Sequence, residues 1–130
     1  MSKLNPFGIF RKFERREVDK LSALYYLKSI LEHTEDITLK LDTIEVISII
    51  KPDNQEFFNF LEYLLITEKN YQVRGLIAKV LIENYPKIAF EPIKWILKRE
   101  KNNLCIELIT NAILKSKNTP LKSLLNTVKQ

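Results

Sequence analysis

The chain has 130 residues, a net charge of +5, 45% hydrophobic and 28% charged residues, a composition that folds into a globule. Two glycines argue against a hairpin-rich sheet, and a single cysteine excludes an internal disulfide and fits a reducing compartment. No apolar run approaches the roughly 20 residues that span a bilayer, and the N-terminus lacks the apolar core of a secretory signal, so a cytoplasmic, single-domain, all-α protein is expected.

In chain order, Phe7, Phe10 and Phe13 come first, spaced by three and interleaved with Arg11, Lys12, Arg15 and Arg16. Pro6 and Gly8 make this start irregular, and a short turn or helix is predicted at 8–15. Three uses fit such a basic, aromatic segment: capping the end of a helical stack, docking in a partner's groove, or lying on an anionic membrane. A helix over about 17–33 comes next, with Ala23, Leu24, Leu27, Ile30 and Leu31 on one face. Residues 36–50 form an apolar-rich helix whose stripe reads Leu41, Ile44 and Ile49. Lys51-Pro52-Asp53 breaks the chain, with Asp53 the expected N-cap of the next helix.

The helix at 53–67 carries Phe57, Phe58, Leu61, Leu64 and Leu65. The helix at 70–84 carries Val73, Leu76, Ile77, Val80 and Leu81. A helix at 86–100, expected to open at Pro86, carries Ala89, Phe90, Ile93, Ile96 and Leu97. The helix at 102–116 carries Cys105, Leu108, Ile109, Ala112 and Ile113. The last, at 119–128, keeps Leu121, Leu125 and Val128 but has Lys122 and Lys129 at the other two places, as suits a terminal element.

These stripes recur at a spacing of 32 residues, and the acids Asp36, Glu68 and Glu100 open successive units. A period in this range marks stacked helix pairs, each burying its apolar face against the next. The units are 36–67, 68–99 and 100–130, preceded by a capping segment and looser unit at 1–35.

Within the second unit, Glu68, Val73, Arg74, Ala78 and Leu81 resemble the HEAT-repeat pattern. The resemblance implies a right-handed α-solenoid of antiparallel helix pairs with three to four repeats, in which Arg74 pairs with Asp36 or Glu100 and the second helices line a concave surface. Asp42 and Ile106 stand where the Arg belongs in the units before and after. HEAT-like proteins are mostly scaffolds and adaptors, which makes a non-enzymatic interaction protein the expectation by analogy of fold.

The residues themselves offer little chemistry. His33 and Cys105 are isolated, so no metal site or cofactor is expected. Cys105 takes the Val73 position of its repeat, where a thiol acts as a small hydrophobe. No glycine loop for phosphates is present, and no two acids converge for acid–base work.

One constellation stands out. On the helix read from Pro86, the face opposite the stripe holds Lys87, Glu91, Lys94, Trp95 and Lys98, and Tyr63 takes the place of Trp95 one repeat earlier. Exposed aromatics among cations are typical anchors of a protein interface. The competing reading folds the indole between repeats and leaves the lysines as ordinary solvated surface.

Charge is uneven along the chain. Residues 34–67 carry two basic and seven acidic groups, whereas 101–130 carry five basic and one acidic. An acidic protein segment is the expected partner. The alternative is nucleic acid, its phosphate backbone held by the basic C-terminal half through Lys79, Lys87, Lys94, Lys98, Arg99 and Lys101.

Overall fold

The computed structural model describes residues 5–128, with side chains through Asn126. The described residues are helical and contain no strand: α1 (Pro6–Glu14), α2 (Lys20–His33), α3 (Ile37–Ile50), α4 (Gln55–Thr67), α5 (Tyr71–Asn84), α6 (Phe90–Arg99), α7 (Asn103–Lys115), α8 (Thr119–Ser123) and α9 (Leu125–Val128). None is long and apolar enough to cross a membrane. The chain forms two compact units divided between Pro52 and Asp53, so α3 and α4, the two helices of the 36–67 repeat, belong to different units.

In the N-terminal unit, α1 packs on α2 and α3, and α2 on α3. All five residues of the α2 stripe are buried. Pro6 is not an irregularity. It occupies the first turn of α1, where its missing N–H costs nothing, while Asn5 caps the helix by accepting from Phe7 and Gly8 N–H. α1 closes with a Schellman motif: Glu17 N–H donates to Lys12 O and Arg16 N–H to Phe13 O. The left-handed residue this motif needs is Arg16 (φ 63°), and α3 ends on a second one, Lys51 (φ 65°). Of the α1 aromatics, Phe7 is exposed while Phe10 and Phe13 are half-buried, and Ile9 is the buried anchor.

The stripe expected on α3 is wrong. Ile44 is buried, but Leu41 is half-buried and Ile49 exposed, whereas Thr43, Val46, Ile47 and Ile50 are buried. The helix is apolar on nearly every side, so its sequence shows no preferred face. Thr43 satisfies its hydroxyl by donating to Leu39 O at 2.7 Å.

In the C-terminal unit, α4 packs on α5 and α6, α5 on α7, and α7 on α8. α5 and α7 are in close contact at Gly75, where an added Cβ would lie 2.6 Å from Leu108 Cδ1 and 3.3 Å from its Cβ. The N-cap of α4 is Asn54, not Asp53: Asn54 Oδ1 accepts from Phe57 N–H at 2.7 Å. Tyr85, at the end of α5, donates its hydroxyl to Asn54 O at 2.9 Å and meets Phe58 edge-on at 5.3 Å. Burial, with a lesser contribution from Asp53, pushes the Tyr85 phenol up to about 12.

The helix expected from Pro86 begins at Phe90 instead. Residues 86–88 form a turn in which Ile88 N–H and Ala89 N–H both donate to Tyr85 O. Proline suits the second position of such a turn as well as it suits a helix start, and the sequence alone does not separate the two. The terminal helix is also broken, into α8 and α9, with buried Leu121 and Leu124 facing the core. The side chain of Val128, and Lys129 altogether, lie outside the described residues.

Candidate interaction surface

The corner before each of four helices is built alike. The side chain two residues ahead of the N-cap accepts from the N-cap's own N–H: Thr34 for Asp36, Glu68 for Asn70, Glu100 for Asn102 and Ser116 for Asn118. The N-cap side chain then accepts from the first turn, as Asn70 does from Gln72 and Val73 and Asn102 from Leu104 and Cys105. Asp36 is thus the counterpart of Asn70 and Asn102 rather than of the acids Glu68 and Glu100. The first unit is offset by two residues from the 32-residue register.

Arg74 ties two of these corners together. Its Nε and Nη2 donate to the two carboxylate oxygens of Glu100 at 2.7 and 2.8 Å, and its Nη1 donates to Glu68 O and Lys69 O. Of the two partners expected for Arg74, Glu100 is the one it meets. The bidentate fork is the strong geometry for a guanidinium and a carboxylate. It holds the Glu100 carboxyl below the usual carboxylate range and raises the Arg74 guanidinium further. Cys105 lies beside this pair, fully buried. Burial first, then the Glu100 charge, pushes its thiol up to about 12, so Cys105 stays a neutral core group and not a nucleophile.

Above the pair opens a shallow cleft of about 610 Å³, its walls including Leu65 and Ile66 of α4, Trp95 and Arg99 of α6, and Lys101. Trp95 is half-buried. The cation over its ring is Arg99, whose guanidinium carbon lies 4.5 Å from the indole centroid, one helical turn along α6. Lys94 instead reaches over Phe90, 6.0 Å from the ring centroid. Lys98 is exposed on the last turn of α6. Tyr63, 63% exposed, precedes Ile66, 53% exposed, by one turn of α4, so the two share a helix face.

The expected constellation is therefore partly regrouped. Lys87 belongs to the 86–88 turn and lines a different cavity, with Lys115 and Lys117. Arg99, Ile66 and Lys101 join Trp95 in its place. Arg99 could have been read from its spacing of four after Trp95, whereas Ile66 and Lys101 needed the packing of α4 on α6.

The N-terminal candidates, Phe7, Phe10, Phe13, Arg11 and Arg15, sit on α1 and its C-cap, with both arginines exposed. His33 ends α2, its Nδ1 2.8 Å from Ser29 O. No family model, curated protein or solved structure matches the chain.

Proposed function

We propose that the chain is a non-enzymatic adaptor, that its C-terminal unit is a short HEAT-like solenoid, and that it binds an acidic, apolar-containing protein segment along the α4–α6 surface. The single observation carrying this reading is the Trp95 cleft. A large indole is held half-buried under Arg99 and shares its cleft with the exposed Ile66 and Lys101, while Tyr63 continues the Ile66 face of α4 and Lys98 is exposed on the last turn of α6. Aromatic area held at low entropic cost and ringed by cations suits a partner that brings carboxylates beside an apolar side chain. The solenoid reading is supported by α4 packing on α6 and α5 on α7, and by Arg74 of one unit pairing with Glu100 at the start of the next.

Trp95 is the only tryptophan, so its emission reports on the cleft directly. Titration with a peptide alternating Asp/Glu with Leu/Phe is expected to shift and saturate the emission. The effect should weaken with added salt, and in Arg99→Glu with Lys101→Glu. An unchanged emission with helicity intact, or equal binding of the Lys-substituted peptide, would refute this reading.

A further inference from the structure

A second cavity, of about 420 Å³, lies at the other end of α5 and α7. Ile82, Pro86 and Ala112 give it an apolar floor. Three separate stretches of backbone bring lysines to it: Lys87 from the turn before α6, Lys115 from the last turn of α7, and Lys117 from the corner before α8. None of the three forms an ion pair with a carboxylate among the described residues, and the one acid in the lining is Glu83. Two polar groups complete the wall. The Ser116 oxygen accepts from Asn118 N–H, leaving its hydroxyl proton to donate outward. The Asn118 Oδ1 is committed to Leu121 N–H, leaving its NH2 as a second donor.

We propose that this cavity binds a phosphate monoester whose phosphate meets Lys87, Lys115 and Lys117 while the group it is attached to covers Ile82, Pro86 and Ala112. Three unpaired cations against one acid favour a doubly charged anion over a singly charged one. The Ser116 and Asn118 donors match phosphate oxygens, which only accept. The apolar floor selects an ester over inorganic phosphate, because a bare ion leaves the floor wet. The carbonyl ends of α5 and α7 both border the cavity and oppose an anion, which weakens the affinity for the bare ion. The monoester has two sources, a free small molecule or a phosphorylated side chain, and the two differ in the group that carries the phosphate.

The test is an amide-resolved NMR titration of the full chain at pH 7.5 and fixed ionic strength. The probes are inorganic phosphate, phenyl phosphate, a neutral phosphoserine peptide and a duplex oligonucleotide. Saturable shifts are expected in 82–88 and 112–118, tighter for phenyl phosphate or the peptide than for inorganic phosphate. The tighter of the two identifies the source. Lys115→Gln and Lys117→Gln should each weaken binding about fivefold, while Lys122→Gln, outside the cavity, should leave it unchanged. Lowering the pH to 5.5 should weaken it too, since the second phosphate pKa is about 6. Shifts that do not saturate, that follow every surface lysine alike, or that persist in Lys115→Gln with Lys117→Gln would overturn the proposal. The oligonucleotide displacing the monoesters from the same amides would replace it with backbone binding.

Discussion

The two ends of α5 handle charge in opposite ways. At its start, Arg74 is locked by both oxygens of Glu100 and by two backbone carbonyls, and the Glu100 side chain is only 3% exposed. About 15 Å further along, at the other end of the helix, three lysines surround a cavity without a carboxylate partner among the described residues. Charge that is paired and mostly buried builds the fold, because removing either partner strands the other. Charge that is unpaired and solvated contributes little to stability and stays free for a ligand. The same residue chemistry therefore divides into architecture and recognition according to what lies opposite it.

The comparison breaks first at Glu100. Glu100→Ala leaves a guanidinium that is four-fifths buried without its carboxylate, and is expected to cost about 2–4 kcal/mol in urea unfolding. The pH dependence comes from the lowered carboxyl. The folded state holds Glu100 ionised more firmly than the unfolded state does, so the stabilisation is complete above the ordinary value of 4.5. It is lost as pH falls through the lower folded value. Glu100→Gln should flatten that acid limb, and an unchanged limb would mean that the pair contributes nothing to stability.

One residue past Arg74 on α5, Gly75→Leu forces a side chain into the Leu108 contact. Overpacking costs about 1–3 kcal/mol, of which roughly 1 is returned by better helix propensity, so a net loss of up to about 2 kcal/mol is expected. A gain in stability would separate α5 from α7. Nearer the cavity, Tyr85→Phe should cost about 1 kcal/mol by orphaning the Asn54 carbonyl. Tyr85 keeps its proton longer when folded, so its contribution is full below pH 10 and lost as pH rises towards about 12. The phenylalanine variant should lose that alkaline limb. Last, Lys115→Gln and Lys117→Gln should each change stability by less than about 0.5 kcal/mol. A larger loss would show these lysines to be structural and remove the contrast with Arg74.

Helix positions are legible in the sequence wherever one face alone is apolar. The stripes of α2, α4, α5 and α7 read nearly residue for residue, and the burial of Cys105 comes from the 32-residue period. α3 resists such a reading because Ile37, Leu39, Leu41, Ile44, Val46, Ile47, Ile49 and Ile50 surround it, and no face can be preferred. Its true offset is written in Thr34 and Asp36, which repeat the Glu68–Asn70 spacing, but a corner pairing is visible only once the hydrogen bonds are. The start of α6 is misread because Pro86 fits two local structures equally well, and that error moves Lys87 from the cavity to the Trp95 surface. The cavity itself is not readable, since Lys87 and Lys115 are 28 residues apart and only the packing of α5 on α7 brings their surroundings together.

The four matching corners carry one more consequence. Each fixes a helix start using bonds that span two or three residues. Such bonds close at almost no cost in chain entropy and can form before any distant contact exists. Helix initiation, the slow and unfavourable step in an isolated segment, is therefore encoded locally at α3, α5, α7 and α8. The chain has several equivalent places from which to begin folding, and damage to one corner should slow that start without closing the others.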